Sequence, residues 1–538
     1  MTDPIFIFDE TGTILRGIKD KAITSVNIPS SVTIIGEYAF YGCTSLQTVV
    51  IPDSVTKIEE RTFWGCTSLQ AIIVAEGNEL FSSSDGILFN KDQSALLRFP
   101  ADSRIQSYSI PNTVTEIEEG AFAFCKSLET VVIPDTVTTI GYCVFEGCAS
   151  LQAIIVAEGN DFFSSSDGIL FNKDQSALLR FPTGIIIKSY CIADSVWGIS
   201  PRAFSGCKSL QTIDIPYSVT KIRERTFFAC ISLQFIDIPD SVTEIEEGAF
   251  SGCASLQTVD IPDSVTKIGG WAFMSCTSLQ TINIPDSVTE IAKYAFVDCT
   301  SLQTIVIPDS VNEIREGAFS GCTSLQFIDI PDSVTEIGGH AFSKCSSLQF
   351  VDIPNSVTKI GGWTFYGCSS LQSINVAEDN KYFFSSDGIL FNKDHSVLLQ
   401  FPAGKETKSY SIPDSVTYIG WQAFSGCTSL QTINIPDSVT KIGEYAFLGC
   451  TSLRTVVIPD CVTVIGKDTF KDCRFLRTIN CQIKSLENVD IKDGAFAPSL
   501  YESATLIVPP GTRWKYRHHP VFGKFKNIEI ASRRKGNM

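Results

Sequence analysis

Histidine is almost missing from this sequence: only His340, His395, His518 and His519 occur in 538 residues. Catalytic triads, proton relays and most zinc clusters draw on histidine, so such sites have little material here. Long apolar runs are missing as well, and no stretch approaches the roughly eighteen consecutive apolar residues of a membrane-spanning helix. The start, MTDPIFIFDETG, lacks the basic-then-apolar layout of a secretory signal, so nothing in the sequence as written exports or anchors the chain. Basic charge is in deficit: 42 Lys+Arg stand against 59 Asp+Glu, a net of −17. That balance works against binding a phosphate backbone, and a nucleic-acid partner is not expected. Gly-x-x-x-x-Gly-Lys, Gly-x-Ser-x-Gly and His-Glu-x-x-His are all absent, which removes the familiar phosphate, acyl-transfer and zinc-protease signatures. These absences point away from an enzyme, and no cofactor or metal is called for.

What is present is repetition. The string Ile-Pro-Asp-Ser-Val-Thr, with small variations, starts at Ile28 and recurs to Ile458. Successive starts lie 23 residues apart, as from Ile238 to Ile261, except for three intervals of 59, such as Ile51 to Ile110, each longer by 36. In the copy IPDSVTEIEEGAFSGCASLQTVD the apolar positions are Ile238, Val242, Ile245, Ala249, Phe250, Cys253, Leu256 and Val259. Leu256, Val259 and Ile261 have the spacing of a short strand with alternate side chains inward. Pro262 ends it, and the Pro-Asp-Ser run makes a turn. The Glu-Gly-Ala-Phe-Ser-Gly-Cys run permits at most one short helical turn before the chain returns. A lone coil of this size buries too little to offset its ordering entropy, so copies must stack. The expected fold is a repeat solenoid: a leucine-rich-repeat-like parallel β-sheet of 23-residue coils, with short helical turns or irregular returns. Gly-Gly pairs such as Gly269-Gly270 and Gly361-Gly362 read as turn residues.

The three insertions, at about 74–109, 156–191 and 376–411, share DGILFNKD and a following LLRFP or LLQFP. In the first, Ile87-Leu88-Phe89 and Ala95 to Phe99 flank Asn90-Lys91-Asp92-Gln93, which predicts a β-hairpin with a polar turn. Asp85, Asn90 and Asp92 also have calcium-loop chemistry, although turn residues carry this composition without any ion. The ends differ from the repeat, as capping segments must. Residues 1–27 read as an N-terminal capping hairpin turning near Glu10-Thr11-Gly12, 28–480 as the solenoid, 481–530 as a C-terminal cap and 531–538 as a basic tail.

Of 19 cysteines, fifteen occupy one repeat position, from Cys43 to Cys473. Equivalent side chains in stacked coils point the same way rather than at each other, so buried free thiols are expected rather than disulfides. No repeated Cys-x-x-Cys spacing supports zinc, and no recurrent histidine activates these thiols. An odd cysteine count without an Asn-x-Ser/Thr acceptor does not suggest oxidative folding in a eukaryotic secretory route.

Between the inward strand positions lie outward ones that vary from copy to copy. The residue before Ile-Pro is Asp214, Asp237, Asp260, Asn283, Val306, Asp329 or Asp352 in successive central copies, with Asn375 at the same place before Val376, and two residues earlier stand Thr212, Phe235, Thr258, Thr281, Thr304, Phe327, Phe350 and Ser373. In-register stacking sets Phe235, Phe327 and Phe350 beside Asp237, Asp329 and Asp352 on an open face, a candidate protein-binding strip. Its alternative is phenylalanine packed against neighbouring Thr or Gln stems. Stacked carboxylates about 5 Å apart repel, so they must stay wet, and a flat sheet offers no pocket for a perturbed catalytic acid.

The repeat IPDSVTEIGxxAFSGCTSLQTI resembles the BspA-type leucine-rich repeat over about 28–480. The DGILFNKD insertions look like variant units of the same family, and LIVPPGTRWKYRHHPVFGKFKNIEI at 506–530 is similar to the closing segment of Bacteroidetes members. The resemblance implies a non-enzymatic bacterial surface or secreted solenoid, adhesin-like, recognising a host matrix protein or a protein on a neighbouring cell. It carries no catalytic residues to transfer. Surface members normally begin with a signal peptide, which this sequence does not show. The second reading is a cytoplasmic or secreted scaffold for protein complexes, and a monomer is expected in either case.

Overall fold

Alternation at Leu-x-x-Val-x-Ile fixes one side of every coil. In the computed structural model, which describes residues 5–531, that stretch is a strand of two to four residues whose inward side chains are almost fully buried. The chain divides into two units, Met1–Leu256 and Gln257–Met538, and each is a stack of parallel coils.

In the first unit the coil from Ile110 shows the plan. Thr130–Ile133 lies parallel to Ala153–Val156, with Val131 opposite Ile154. The two-residue strand Glu116–Ile117 lies parallel to Thr139–Ile140. The third side is the Gly-Ala-Phe-Ala-Phe-Cys run. Here the amides of Gly120, Phe122 and Phe124 donate forward to the carbonyls of Tyr142, Val144 and Glu146 at 3.0, 3.0 and 2.7 Å. Between them Ala121, Ala123 and Cys125 close tight turns within the coil. Backbone polarity is thus satisfied by the neighbouring coil on three sides. The return is irregular, as one of the two sequence alternatives had it, and among the described residues helices occur only at Pro498–Ser503 and Arg513–His518, with a 3-10 turn at Phe522–Lys524.

This return requires left-handed backbone twice per coil, at the residue before Ala-Phe and the residue before Cys. Gly120 (φ 63°) and Phe124 (φ 66°) hold the two places in one coil, Trp271 (φ 54°) and Ser275 (φ 56°) in another. The Gly-Gly pairs do turn the chain, but the left-handed residue is the tryptophan that follows, Trp271 or Trp363. Gly361 serves close approach instead: a Cβ there would sit 2.2 Å from the amide nitrogen of Gly339.

The core repeats with the backbone. In the first unit Phe204, Phe227 and Phe250 stack with ring centroids 5.3 and 5.4 Å apart. In the second, Phe273, Phe296, Phe319 and Phe342 stack at 5.5, 5.5 and 5.7 Å. Beside them run the cysteines, all free, and the fifteen repeat-position thiols are buried as expected. Each is more than a spacer. The Phe319 carbonyl accepts the Cys322 amide within its coil and the Cys345 thiol of the next coil, at 3.2 and 3.1 Å. Phe227 and Cys253, and Phe273 and Cys299, pair in the same way. After an insertion the contact loosens to 3.9 Å, as for Cys125, Cys207 and Cys427.

The first insertion contains the expected hairpin, Ile87–Asn90 against Ala95–Arg98. It also has a further antiparallel strand, Phe81–Ser84, that the sequence reading did not foresee. Ala95–Arg98 runs parallel to Glu116–Ile117, so it takes the place of a coil's two-residue strand. A fully buried Asn78 pins the insertion to the preceding coil: its Nδ2 donates to the carbonyls of Pro52 and Val55, both at 2.9 Å, while Oδ1 accepts from the amides of Leu80 and Phe81. Two residues of the calcium alternative bond within the turn instead: Asp92 Oδ1 accepts from the amide and hydroxyl of Ser94, and Asn90 Oδ1 from the amide of Ala95. Among the described residues no group of three or more His, Cys, Asp or Glu is placed to hold a metal ion.

At the N-terminal end Phe6–Phe8 pairs antiparallel with Ile14–Ile18, which joins Ile34–Ile35. The Asp9 carboxylate holds the turn by accepting from the Thr11 hydroxyl and the Ile14 and Thr13 amides, which keeps its pKa down at about 2. At the other end Thr505–Val508 and Asn527–Ile530 extend the sheet from Thr478–Cys481. Buried Tyr516 donates its hydroxyl to the Ile483 carbonyl at 2.7 Å. Residues 532–538 of the expected basic tail lie outside the described residues. In the second unit no strand forms at 304–306, between Thr281–Asn283 and Phe327–Ile328.

Two measurements follow. A thiol reagent added to native protein reacts first with the exposed Cys191 and Cys461, and the repeat-position thiols react only on unfolding; early labelling of Cys253 or Cys345, read by mass spectrometry, contradicts the buried column. Burial also raises the thiols of Cys66, Cys207, Cys368 and Cys473 from 9.0 to about 12. The folded state holds these protons to higher pH than the unfolded chain. Their contribution is therefore complete below pH 9 and lost as pH rises towards 12. Thermal midpoints that stay flat over that window would contradict it.

Candidate functional site

The outward strand positions stand in register, as the repeat spacing demands. In the first unit Thr212 lies opposite Phe235 and Asp214 opposite Asp237, with Ile213 and Ile236 buried between them. In the second, Phe327 lies opposite Phe350, and Phe350 opposite Ser373. Phe327 and Phe350 are 50% and 43% exposed, with rings nearly parallel, 8° apart at 6.5 Å between centroids. Their neighbours Asp329 and Asp352 are exposed. The structure thus brings together Phe327, Asp329, Phe350 and Asp352, and it places Phe235 and Asp237 on the equivalent exposed face of the first unit. The phenylalanines on this face are each about half exposed.

Charge along the face is tempered by neighbours. Asn375 donates from Nδ2 to Asp352 at 2.8 Å and accepts from the Ser373 hydroxyl at 2.6 Å, so an amide replaces what would be a second stacked carboxylate. Val306, 71% exposed, interrupts the acidic run and coincides with the lapse in the strand. The Asp237, Asp329 and Asp352 carboxylates are exposed to solvent.

A second decorated edge was missed in the sequence: the left-handed residue before Ala-Phe. In the second unit Trp271 stacks on Tyr294 at 5.5 Å and His340 on Trp363 at 5.9 Å. The Tyr294 hydroxyl donates to Glu316 at 2.7 Å, which raises the tyrosine pKa and lowers that of the glutamate. In the first unit the same edge carries Arg61, bonded to Glu119 at 2.7 Å and to the Tyr38 hydroxyl at 2.8 Å. Arg202 there donates to the Tyr142 hydroxyl at 3.0 Å. Tyr38, Arg61, Trp64, Tyr142, Arg202 and Arg225 line an open groove of about 660 Å³. Comparing that one column across copies, as was done for the strand positions, would have revealed it.

A family model described as the BspA type leucine-rich repeat region matches residues 18–92, 98–195, 180–303, 289–387 and 401–509. No curated protein matches the chain. Among solved structures, a leucine-rich repeat protein from Eubacterium ventriosum is 23% identical over 61% of this chain and 87% of its own, with a TM-score of 0.46. One from Bacteroides ovatus is 25% identical over 94% of this chain and 99% of its own, at 0.36. A leucine-rich cell surface protein from Faecalibacterium prausnitzii is 24% identical over 85% and 96%, at 0.34. With its 23-residue coils, stacked Phe and Cys columns and family-model matches over most of its length, the chain belongs to the BspA-type leucine-rich repeat family.

Proposed function

We propose that this protein is a non-enzymatic binding solenoid that holds a protein of a host matrix or a neighbouring cell against its strand face, with residues 1–27 and 481–530 as caps. The observation that carries the reading is the contrast within one strand. Ile328 is buried while Phe327 and Asp329 on either side are exposed, and Phe350 with Asp352 repeats the arrangement one coil on. Large exposed aromatics flanked by acids supply apolar anchoring with a polar rim, the composition of protein-binding surfaces. Among the described residues no helix is long and apolar enough to cross a membrane.

The test is binding of the full chain to immobilised matrix proteins, fibronectin, laminin and collagen, by surface plasmon resonance. At least one is bound, and changing Phe327→Ser with Phe350→Ser weakens that binding about tenfold or more, as loss of two anchors does, while the circular dichroism spectrum is kept. Ile328→Ser serves as the contrast: it loses about 3 kcal/mol or more of stability because the side chain is in the core, whereas the two phenylalanine changes cost about 0.5 kcal/mol each at exposed positions. Binding to none of the three, or binding that ignores both phenylalanines, defeats the proposal.

A further inference from the structure

The groove on the return side of the first unit is lined by residues that lie far apart in sequence, from Tyr38 to Glu247. Side chains of the returns flanking each insertion draw them together. Arg61 reaches Glu119 across the first insertion at 2.7 Å, and Arg202 reaches the Tyr142 hydroxyl and Glu146 across the second at 3.0 and 3.5 Å. Two buried arginines tie the same returns through their carbonyls: Arg98 donates to Gly120 and Ala123, and Arg180 to Phe145, Arg202 and Ser205. The walls of the groove are therefore held in place by the protein itself, which lowers the ordering cost of binding.

Two kinds of surface meet in this groove. One is aromatic: Tyr38, Tyr41, Trp64 and Tyr142, of which Tyr41 is 52% exposed and the other two tyrosines 37%. Tyr38 and Tyr41 stand edge to face, 86° apart at 5.5 Å between centroids, so their rings present faces at right angles. The other surface is polar. Arg225, its side chain 37% exposed, stands between Glu224 and Glu247 at 3.6 and 3.8 Å. Both separations exceed hydrogen-bond length, and among the described residues the guanidinium has no closer polar partner. The side chains of Glu224 and Glu247 are 39% and 50% exposed, and their contacts run to Oε1. Donors on Arg225 and acceptors on both carboxylates thus face solvent side by side.

These features narrow the ligand. Arg61, Arg202 and Arg225 are matched by Glu119, Glu146, Glu224 and Glu247, so there is no excess positive charge to hold an anion. Guanidinium groups already lie over the Tyr38 and Tyr142 rings, at 6.0 and 5.7 Å, which disfavours a cation there. The ligand is neutral, with apolar faces for the aromatic rings and, close by, donors for carboxylate and acceptors for guanidinium. A proline-rich strand offers apolar rings and carbonyl acceptors but lacks the donors. A pyranose offers all three: its C–H face packs on a ring, and each of its adjacent hydroxyls both donates and accepts. We propose that the return-side groove binds a neutral oligosaccharide, sugar faces lying on the tyrosine and tryptophan rings and neighbouring hydroxyls bridging Arg225 to Glu224 or Glu247. Its volume of about 660 Å³ falls within the roughly 300–1,000 Å³ of small-molecule sites. It draws on no residue of the strand face.

The test uses the full chain with cellotriose, maltotriose, triacetylchitotriose and lacto-N-triose, binding read by isothermal titration and by saturation transfer to the sugar ring protons. At least one binds with a Kd of about 1 mM or tighter, and an octaproline peptide binds more weakly than that sugar. Hydroxyl-radical footprinting of the unaltered protein shows Tyr41 and Trp64 protected by the bound sugar, a readout that needs no variant. Tyr41→Ser and Arg225→Asn each weaken the sugar about fivefold or more, the scale of a lost ring contact or of a hydrogen bond to a charged group. Their melting curves are unchanged, since asparagine tolerates the left-handed backbone at Arg225 (φ 51°). Phe327→Ser with Phe350→Ser leaves sugar binding as it was. Binding of none of the sugars, tighter binding of octaproline, or a bound sugar that leaves Tyr41 and Trp64 unprotected overturns the proposal. Sugar affinity that ignores both groove variants, or that falls equally in the strand-face variant, does so as well.

Discussion

A residue in this core packs against its own copy in the neighbouring coil, as Phe273, Phe296, Phe319 and Phe342 do. That constraint explains why Phe, Cys, Leu and Ile recur at a fixed spacing while the positions between them drift. It acts through the Phe carbonyl most visibly. One lone pair is taken by the amide three residues on, and the other faces the next coil, where a small weak donor must arrive without crowding the ring stack. A thiol meets both demands: an alanine there would leave the acceptor half-satisfied, and a larger side chain would force the rings apart.

The same constraint governs where the structure can vary. Outward strand positions touch no copy of themselves in the core and are free to become Thr, Phe, Asp, Asn or Val. Insertions are tolerated where their last strand can stand in for a coil's two-residue strand, as Ala95–Arg98 does. Because the outer loop is lost at that step, carbonyls of the flanking returns are left facing a gap, and arginine side chains reach across to them.

Much of this was legible in the sequence because periodicity reports burial directly. The strand positions, the buried thiols, the outward Phe and Asp residues and the insertion hairpin all follow from spacing alone. Phe81–Ser84 escaped because Phe-Ser-Ser-Ser has no apolar alternation; its strand exists by pairing with Ile87–Asn90. Trp271, Tyr294 and Trp363 escaped because aromatic residues rarely adopt left-handed backbone; the amides of Trp271 and Tyr294 donate to the Lys293 and Glu316 carbonyls of the next coil. The buried arginines escaped for a similar reason. Arg98 and Arg180 look like surface residues until their hydrogen bonds to the carbonyls of the following return are seen.

Deleting coils from the second unit tests the stacking account most directly. Removing residues 284–306, a whole 23-residue coil, restores the register of every column, whereas removing 285–306 leaves the chain one residue out of step. Calorimetric melting of the two deletion variants beside the full chain should show the first unfolding close to the parent and the second losing the second unit's transition or shifting it far down. Equal melting of the two variants would mean that the columns do not depend on their own copies, and the account would be wrong.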